Sequence, residues 1–161
     1  VPDSGSEVAI GYSQMSGIPL VPGFVKNRCI GRSFIYPTQS QRENAVRLKL
    51  NPLTANVRGK RIVLVDDSIV RGTTSKKIVK SLKDAGAKEV HLRISSPPFR
   101  HTCHFGTDID DEEKLIANNM SKDQICRQIG ADSLEYISIE GLCRACEKSN
   151  LSFCTVCFTG Q

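Results

Sequence analysis

The sequence contains no tryptophan, and aromatic residues make up only 6% of its 161 residues. A stacking platform for single-stranded nucleic acid needs exposed aromatic rings, so this class of function is not expected. The longest uncharged stretch, residues 8–25, carries Gly, Pro, Ser and Gln and is not a membrane span. No secretory signal opens the chain. We therefore expect a cytoplasmic protein without a membrane span and without an aromatic stacking platform for single-stranded nucleic acid.

The seven cysteines are an odd number and cannot all pair within the chain. In a reducing compartment cysteines are more often free, metal-bound or reactive than cross-linked. Four of them form two Cys-x-x-Cys units, Cys143 to Cys146 and Cys154 to Cys157, separated by seven residues. A generic zinc ribbon has a longer gap between such units, so a zinc scaffold is the weaker interpretation.

The net charge of +5 is concentrated in one segment. Residues 26–50 contain six basic side chains against the single acid Glu43, which accounts for the whole excess. A positive segment of this kind attracts anionic partners, which can be nucleic acid, a membrane surface or phosphorylated small molecules. The basic residues are Lys26, Arg28, Arg32, Arg42, Arg47 and Lys49.

The middle of the chain has the pattern of a parallel α/β protein. Residues 61–65 form a continuous apolar run, as expected for a strand buried on both faces. An amphipathic helix with Ile78, Val79 and Leu82 on one face follows, and then a second strand at residues 89–95. Strand, helix and strand over this length make a βαβ unit, which predicts a parallel central sheet flanked by helices.

The first twenty residues give weaker signals. Residues 4–7 have the spacing of a capping box for a helix that ends at Gly17. Residues 18–21 are interpreted as a short strand. The chain opens on Val1 and a turn, and we interpret it as a piece of a longer protein.

The last third of the chain is predicted in the same way. A second capping box at residues 121–124 predicts a helix that ends at Gly130. Residues 134–139 are interpreted as the last strand. The Cys-rich tail, residues 140–161, follows that strand.

The chemistry lies in the stretch from residue 63 to residue 74, where a buried strand ends in two carboxylates, Asp66 and Asp67. In open parallel sheets ligands bind at the carboxyl ends of the strands. Gly72 and two threonines then open a helix, whose free N–H groups and dipole attract a phosphate. Carboxylates suit sugar hydroxyls, Mg²⁺ or a developing positive charge. A ribose 5-phosphate has hydroxyls for the carboxylates and a phosphate for the start of the helix. The alternative interpretation is an acidic loop with an ordinary threonine cap and no ligand.

Residues 63–74, Val-Leu-Val-Asp-Asp-Ser-Ile-Val-Arg-Gly-Thr-Thr, resemble the phosphoribosyl-pyrophosphate (PRPP) binding motif of type I phosphoribosyltransferases. The flanking sequence is similar to the amidophosphoribosyltransferases, or glutamine PRPP amidotransferases, in order and spacing over essentially the whole chain. The resemblance implies the α/β type I phosphoribosyltransferase fold at residues 1–139, followed by the Cys-rich segment at 140–161. The flanking matches are residues 1–4, 26–35, 95–98, 113–117 and 129–132.

The resemblance also implies parts that this sequence does not contain. The family has an N-terminal glutaminase domain, and nothing here resembles it. No residue is therefore assigned to glutamine hydrolysis, and the chain alone is expected at best to use free ammonia. The first strand of the fold is expected to be truncated at Val1, and Cys29 stands where the family usually has Tyr. The full enzyme is implied to be a homo-oligomer.

The implied reaction displaces pyrophosphate from C1 of PRPP with ammonia and gives 5-phosphoribosylamine, the first committed step of purine biosynthesis. Asp66 and Asp67 match the acidic pair that holds the ribose hydroxyls and the Mg²⁺ shell, and Ser4 matches a metal or pyrophosphate contact. Residues 26–50 match a loop that closes over PRPP, where positive charge steers the polyphosphate and closure excludes water. With the charge assigned to PRPP, neither nucleic acid nor a membrane is expected as a partner. The expected catalytic contacts of that loop are Arg28, Arg32 and Lys49, with Lys26 as a further substrate contact.

The resemblance implies that residues 68–74 bind the 5-phosphate of PRPP and also bind purine nucleotide inhibitors. No general base stands out in the sequence, and the three histidines, His91, His101 and His104, are interpreted as surface or structural residues. The substrate-binding loop comprises Ser68, Ile69, Val70, Arg71, Gly72, Thr73 and Thr74.

Some members of the family hold a [4Fe–4S] cluster on four cysteines. Cys103, Cys154 and Cys157 match three of those ligands, and the fourth lies upstream of this chain. Cys143 and Cys146 are the alternative source of a fourth ligand, although no family motif supports them. Structural thiols without a metal are the competing interpretation.

Two other classes of function stay open. A non-catalytic sensor of PRPP or nucleotides on the same fold would keep residues 66–74, lose the closing-loop signature and carry a DNA-binding element. This chain has the closing-loop signature and no recognisable DNA-binding motif. A small metal-binding scaffold leaves residues 66–74 unexplained, so the enzyme is the favoured interpretation.

Overall fold

The computed structural model describes residues 1–27, 50–103, 111–146 and 153–160. Within these ranges no helix is long and apolar enough to span a bilayer. The strands are β1 (Phe24–Lys26), β2 (Leu50–Pro52), β3 (Arg61–Asp66), β4 (Glu89–Ile94) and β5 (Ser133–Tyr136). The helices are α1 (Ser6–Ser16), α2 (Thr54–Val57), α3 (Thr73–Asp84), α4 (Ile116–Asn119), α5 (Lys122–Ile129), α6 (Ile139–Cys146) and α7 (Val156–Thr159), with a 3₁₀ turn at Glu112–Lys114.

Three strands form a parallel sheet in the order β3-β4-β5. The register pairs Asp66 with Ile94 and Ile94 with Tyr136, so the carboxyl ends of all three strands lie at one edge. The strands β1 and β2 form a separate antiparallel pair. The predicted α/β fold with a parallel sheet flanked by helices is confirmed.

The core lies on one face of this sheet. Alternate residues of β4 are buried, and because side chains of a strand alternate between faces, they line a single surface. The apolar stripes of α3 and α5 pack together there, which is why the βαβ pattern could be recognised from the sequence. The buried residues of these three elements are Val90, Leu92, Ile94, Ile78, Val79, Leu82, Ile125 and Ile129.

Three sequence predictions need correction. Helix α1 begins at Ser6 with Gly5 as its N-cap and without a side-chain cap, so Ser4 does not form the predicted capping box. Residues 18–21 are not a strand; they line a groove of about 440 Å³ beside β3, and a strand requires a hydrogen-bonded neighbour that the described sheets do not give them. The last strand ends at Tyr136 because helix α6 already begins at Ile139. The predicted helices ending at Gly17 and Gly130, and the second capping box, are confirmed.

Candidate phosphate and ribose site

The turn after β3 is built by its own two carboxylates. Asp66 is buried, with 7% of its surface exposed, and its Oδ1 accepts a hydrogen bond from the Asp67 N–H at 3.0 Å. Asp67 Oδ1 accepts hydrogen bonds from the Ser68 N–H at 2.6 Å and from Ser68 Oγ at 3.3 Å. Each side chain therefore holds the backbone of the following residue, and the acidic pair is fixed at the carboxyl end of the strand.

Burial changes the acidity of Asp66. Desolvation, together with the negative charge of Asp67, raises the pKa of Asp66 to about 6, although its hydrogen bond from the Asp67 N–H acts in the opposite direction. The side chain is therefore still ionised at neutral pH. It can accept hydrogen bonds from sugar hydroxyls or stabilise a nearby positive charge.

The far end of the turn opens helix α3. Gly72 has φ +74°, a left-handed conformation that favours glycine, and its carbonyl accepts the Lys76 N–H at 2.9 Å. Among the described residues no side chain caps this helix at Gly72. The first N–H groups of a helix have no partner within the helix, so the start of α3 offers donors and a positive dipole end to an anion.

The first loop of the chain packs directly on this turn. Gly5 is buried, and a Cβ atom placed on it would lie 2.6 Å from the Val65 carbonyl oxygen and 3.0 Å from Asp66 Cα. Its neighbour Ser4 is exposed. The structure thus places Ser4, the predicted metal or pyrophosphate contact, beside Asp66.

Lys26 reaches the same loop from β1. Its Nζ donates a hydrogen bond to Asp3 Oδ2, and the two side chains form an ion pair. Sequence reasoning missed Asp3 as a partner, although the residue stands in a stretch that resembles the family. Lys26 also pairs with Leu50 in the antiparallel register, so the two ends of the predicted closing loop lie side by side. Arg28, Cys29, Arg32 and Lys49, the other residues assigned within this loop, lie outside the described residues.

Ser95 is a second residue that sequence reasoning missed. Its N–H donates to the Asp66 carbonyl at 3.1 Å, and its Oγ lies 3.4 Å from the carbonyl oxygens of Asp66 and Asp67. Ser95 follows β4 directly, and carboxyl ends of parallel strands share an edge, so a hydroxyl at this position was the available signal. It holds the first half of the turn in place.

Replacing Gly5 with alanine is expected to move the first loop away from Asp66. The added methyl group would collide with backbone rather than with a flexible side chain, and such overpacking costs about 2 kcal/mol of the free energy of unfolding. Urea denaturation measures this loss. The matched control is Gly11→Ala, inside α1 with nothing within 4 Å, which should stabilise the protein by about 1 kcal/mol through helix propensity. Equal effects of both changes would contradict the close packing at Gly5.

The two described histidines have structural partners, in line with their interpretation. His91 Nδ1 lies 2.9 Å from Ser133 Oγ, and its Nε2 lies 3.0 Å from Glu89 Oε2. His101 Nδ1 lies 3.3 Å from Glu112 Oε1. His104 lies outside the described residues.

The Cys-rich tail docks on the loop that follows β4. The N–H groups of Arg100 and His101 donate to the Cys157 carbonyl at 3.0 and 3.1 Å, and the rings of Phe99 and Phe158 lie 5.0 Å apart. Burial raises the pKa of the Cys157 thiol, and negative charge on Cys103 and Cys154 adds to the shift. The three cysteines predicted as cluster ligands, Cys103, Cys154 and Cys157, therefore share one neighbourhood, while Cys143 and Cys146 lie on α6.

These cysteines do not form a metal centre by themselves. In the part of the chain that the structure describes, no group of three or more His, Cys, Asp or Glu residues is arranged to hold a metal ion. Three thiols also fall short of the four ligands of a [4Fe–4S] cluster. The cluster would therefore need a fourth ligand from outside the three cysteines that resemble its ligands in the family.

The acidic pair, Asp66 and Asp67, suits a magnesium ion that is bound together with a substrate. Mg²⁺ keeps several waters and is commonly bound by one or two carboxylates together with substrate phosphates. Asp66 and Asp67 supply two carboxylates at one turn, and the exposed Ser4 precedes Gly5, which packs on Asp66. The site therefore suits an ion that arrives with a polyphosphate rather than one held permanently by protein ligands.

Comparison with known proteins agrees with this geometry. The model of the phosphoribosyl transferase domain matches residues 16–96, half of the chain. The whole chain is 55% identical over 161 residues to the amidophosphoribosyltransferase of Synechococcus elongatus and covers 33% of that protein. It is 54% identical over 163 residues to the amidophosphoribosyltransferase of Archaeoglobus fulgidus and covers 36% of it. The chain thus spans about a third of the length of the curated relatives it matches.

A solved structure gives the same result. It is described as glutamine phosphoribosylpyrophosphate amidotransferase from Bacillus subtilis complexed with ADP and GMP. The match has a TM-score of 0.87 and 50% sequence identity, and it covers 99% of this chain and 36% of that chain. The resemblance read from residues 63–74 and their flanks is confirmed, and the chain belongs to the phosphoribosyl transferase domain family.

Proposed function

We propose that this chain binds PRPP and transfers its phosphoribosyl group to ammonia, as the transferase part of an amidophosphoribosyltransferase. The observation that carries the proposal is the turn from Asp66 to Thr74. It presents two fixed carboxylates at one end and an uncapped helix start at the other. The hydroxyls of a ribose 5-phosphate can bind the carboxylates, and its phosphate can bind the free amides at the helix start.

The 5-phosphate lies on residues 68–74 in this proposal. The left-handed conformation of Gly72 directs the chain into α3, and the amides of the first helical turn, with the hydroxyls of Thr73 and Thr74, donate to the phosphate oxygens. The relative from B. subtilis was solved with ADP and GMP, which also carry a 5-phosphate. Purine nucleotides are therefore proposed to compete with PRPP for this loop and to act as inhibitors.

The ribose lies against Asp66 and Asp67. Their ionised carboxylates accept hydrogen bonds from the ribose hydroxyls. Ser4 and Lys26 are proposed to contact the pyrophosphate, because Gly5, next to Ser4, packs on Asp66, and Lys26 pairs with Asp3 of the same loop. Mg²⁺, when bound, neutralises charge on the pyrophosphate, with Asp66, Asp67 and Ser4 as the protein groups beside it. The basic residues Arg28, Arg32 and Lys49 are proposed to close over the same group.

The reaction exchanges one bond at C1 of the ribose. The C1–O bond to pyrophosphate breaks, and the leaving group takes the electron pair. The lone pair of ammonia forms the C1–N bond, and a proton is then lost to solvent. Positive charge grows on C1 as the bond breaks, and the fixed carboxylates of Asp66 and Asp67 stabilise it.

The longer relatives indicate the setting of this step. In a full-length protein ammonia is proposed to come from glutamine through a glutaminase domain, and the product is proposed to enter de novo purine biosynthesis. The division at residue 139, the cytoplasmic location and the homo-oligomer stay predictions. An iron–sulfur cluster on Cys103, Cys154 and Cys157 also stays a prediction, which depends on a ligand outside this chain.

Pyrophosphate release tests the proposed reaction. With PRPP, Mg²⁺ and an ammonium salt at pH 8, the protein is expected to release pyrophosphate at a rate that rises with free ammonia. Coupled phosphate detection measures this rate. Tight PRPP binding without ammonia-dependent release would instead identify a non-catalytic sensor on the same fold.

Binding of PRPP is expected to weaken in acid. Because the pKa of Asp66 is raised to about 6, this carboxylate gains a proton as the pH falls through 6, and the proton blocks its role as acceptor for the ribose hydroxyls. We expect affinity to fall about 10-fold for each unit below pH 6. Calorimetric titrations between pH 5 and pH 8 measure it, and a constant affinity over this range would contradict the role of Asp66.

A further inference from the structure

The outer half of the turn after β3 contacts a segment more than forty residues away in the sequence. The N–H of Ile116 donates a hydrogen bond to the Val70 carbonyl at 3.0 Å. Ile116 begins helix α4 and is 5% exposed. A backbone bond of this kind fixes the distance between the turn and α4 at the residue before Arg71.

The side chain of Ile116 lies directly under Gly72. A Cβ atom placed on Gly72 would come within 2.7 Å of Ile116 Cδ1 and 3.9 Å of Ile129 Cγ1. The terminal methyl group of Ile116 therefore occupies the space in which any larger residue at position 72 would lie. Gly72 is the N-cap of α3, so this methyl group supports the residue from which the first amides of α3 project.

The positive charge of Arg71 acts on Asp111, at the start of the same segment. Asp111 has a pKa below its usual range, mainly because Lys114 Nζ lies 2.7 Å from its carboxylate and the Glu113 N–H donates to it at 2.9 Å, and the charge of Arg71 contributes further. Val70 and Gly72 thus each contact Ile116, and the charge of Arg71, between them, acts on Asp111.

The segment is itself fixed from its other side. Asn118 Nδ2 donates to the Arg100 carbonyl at 2.7 Å, and the Thr102 N–H donates to Glu112 Oε1 at 3.1 Å. Leu115 is 1% exposed. The segment is therefore held in place by contacts that do not depend on the turn.

We propose that Ile116 is a positioning residue for phosphate binding, which holds Val70 and Gly72 so that the first amides of α3 converge on the 5-phosphate. This inference rests on the proposed function, because it assumes that residues 68–74 bind that phosphate. Ile116 touches no substrate itself. Its role is to keep a donor set in the shape that a phosphate requires, since small displacements of such donors are costly.

Ile116→Val tests the inference, because it removes the methyl group under Gly72 and leaves the backbone bond to Val70. Ile125→Val is the matched control: it removes the same methyl group from a residue that is 2% exposed in α5. Both changes are mild enough for the protein to fold. The probes are ribose 5-phosphate and Mg²⁺-pyrophosphate, titrated calorimetrically against the purified proteins, with melting temperatures recorded for each.

Ile116→Val is expected to weaken ribose 5-phosphate binding about 5-fold, and Ile125→Val less than about 2-fold, at similar losses of melting temperature. Pyrophosphate affinity should not change in either variant, because that group lies on the far side of the ribose. Equal effects of the two variants on ribose 5-phosphate would overturn the positioning role and leave the proposed function intact. Absence of ribose 5-phosphate binding by the unmodified protein would overturn the proposed function itself.

Discussion

Replacing Asp66 with asparagine is expected to weaken PRPP binding by roughly 100-fold, because two charge-assisted hydrogen bonds to ribose hydroxyls are lost. The same change is expected to raise the free energy of unfolding at pH 7.5 by about 2 kcal/mol. Asparagine keeps the Oδ1 that accepts the Asp67 N–H, so the turn retains its shape. A loss of binding together with a gain of stability would show that Asp66 contributes to ligand binding at the expense of stability.

The sign of the stability effect follows from the acidity of Asp66. Its pKa is 3.8 when unfolded and about 6 when folded, so the folded protein holds the proton more tightly. The ionised form therefore destabilises the fold: this penalty is absent below pH 3.8, develops between pH 3.8 and 6, and is complete above pH 6. The gain from Asp66→Asn should appear in urea denaturation at pH 7.5 and be mostly lost at pH 4.

Asp84→Asn provides the matched control for this experiment. Asp84 is an exposed residue of α3 whose carboxylate pairs with Lys80 at 2.9 Å. Exposed pairs of this kind contribute little, so its removal should change stability by less than about 0.5 kcal/mol and leave PRPP affinity unchanged. A loss of stability in Asp66→Asn as large as its expected gain would show that the Asp66 charge is stabilised by the fold.

Replacing Gly72 with alanine is expected to destabilise the protein by about 3 kcal/mol and to weaken PRPP binding at least about 10-fold. Part of the loss comes from the left-handed φ of +74°, and the rest from the collision of the new methyl group with Ile116 Cδ1. The collision displaces the start of α3, where the phosphate donors lie. Urea denaturation and calorimetry measure the two effects on the same samples.

Gly17→Ala separates the two causes. Gly17 has nearly the same φ, +73°, but nothing lies within 4 Å of the added Cβ, so only the backbone strain of about 1 kcal/mol is expected. In the double variant Gly72→Ala/Ile116→Val the clashing methyl group is gone, and the total loss of stability should be about 1 kcal/mol smaller than the sum of the single losses. Strict additivity would show that Ile116 and residue 72 do not interact.

The strands and helices with a regular pattern of apolar residues could be predicted, because that local pattern alone specifies them. The strand expected at residues 61–65 is one residue longer in the structure, and the expected apolar face of α3, Ile78, Val79 and Leu82, is buried. The turn between them was recognisable because its two acids, its glycine and its two threonines all lie between residues 66 and 74. Strand pairing is less local, which is why residues 18–21 were interpreted wrongly.

The supports of the site could not be read from the sequence, because they come from other parts of the chain. Asp3 becomes a partner of Lys26 only when β1 lies beside the first loop, and Ser95 reaches Asp66 only through the β3–β4 register. Ile116 contacts Gly72 across a separation of more than forty residues. It lies in the stretch 113–117 that resembles the family, but that stretch alone does not show which residue it contacts. Such contacts require the tertiary structure.

The most direct measurement of the central claim is a backbone ¹H–¹⁵N NMR titration of the protein with ribose 5-phosphate. The largest amide shifts are expected on residues 68–75, with smaller shifts at Asp66 and Asp67, and Asp66→Asn is expected to reduce the affinity obtained from the same resonances. Saturable shifts centred elsewhere on the protein, with residues 68–75 unmoved, would contradict it.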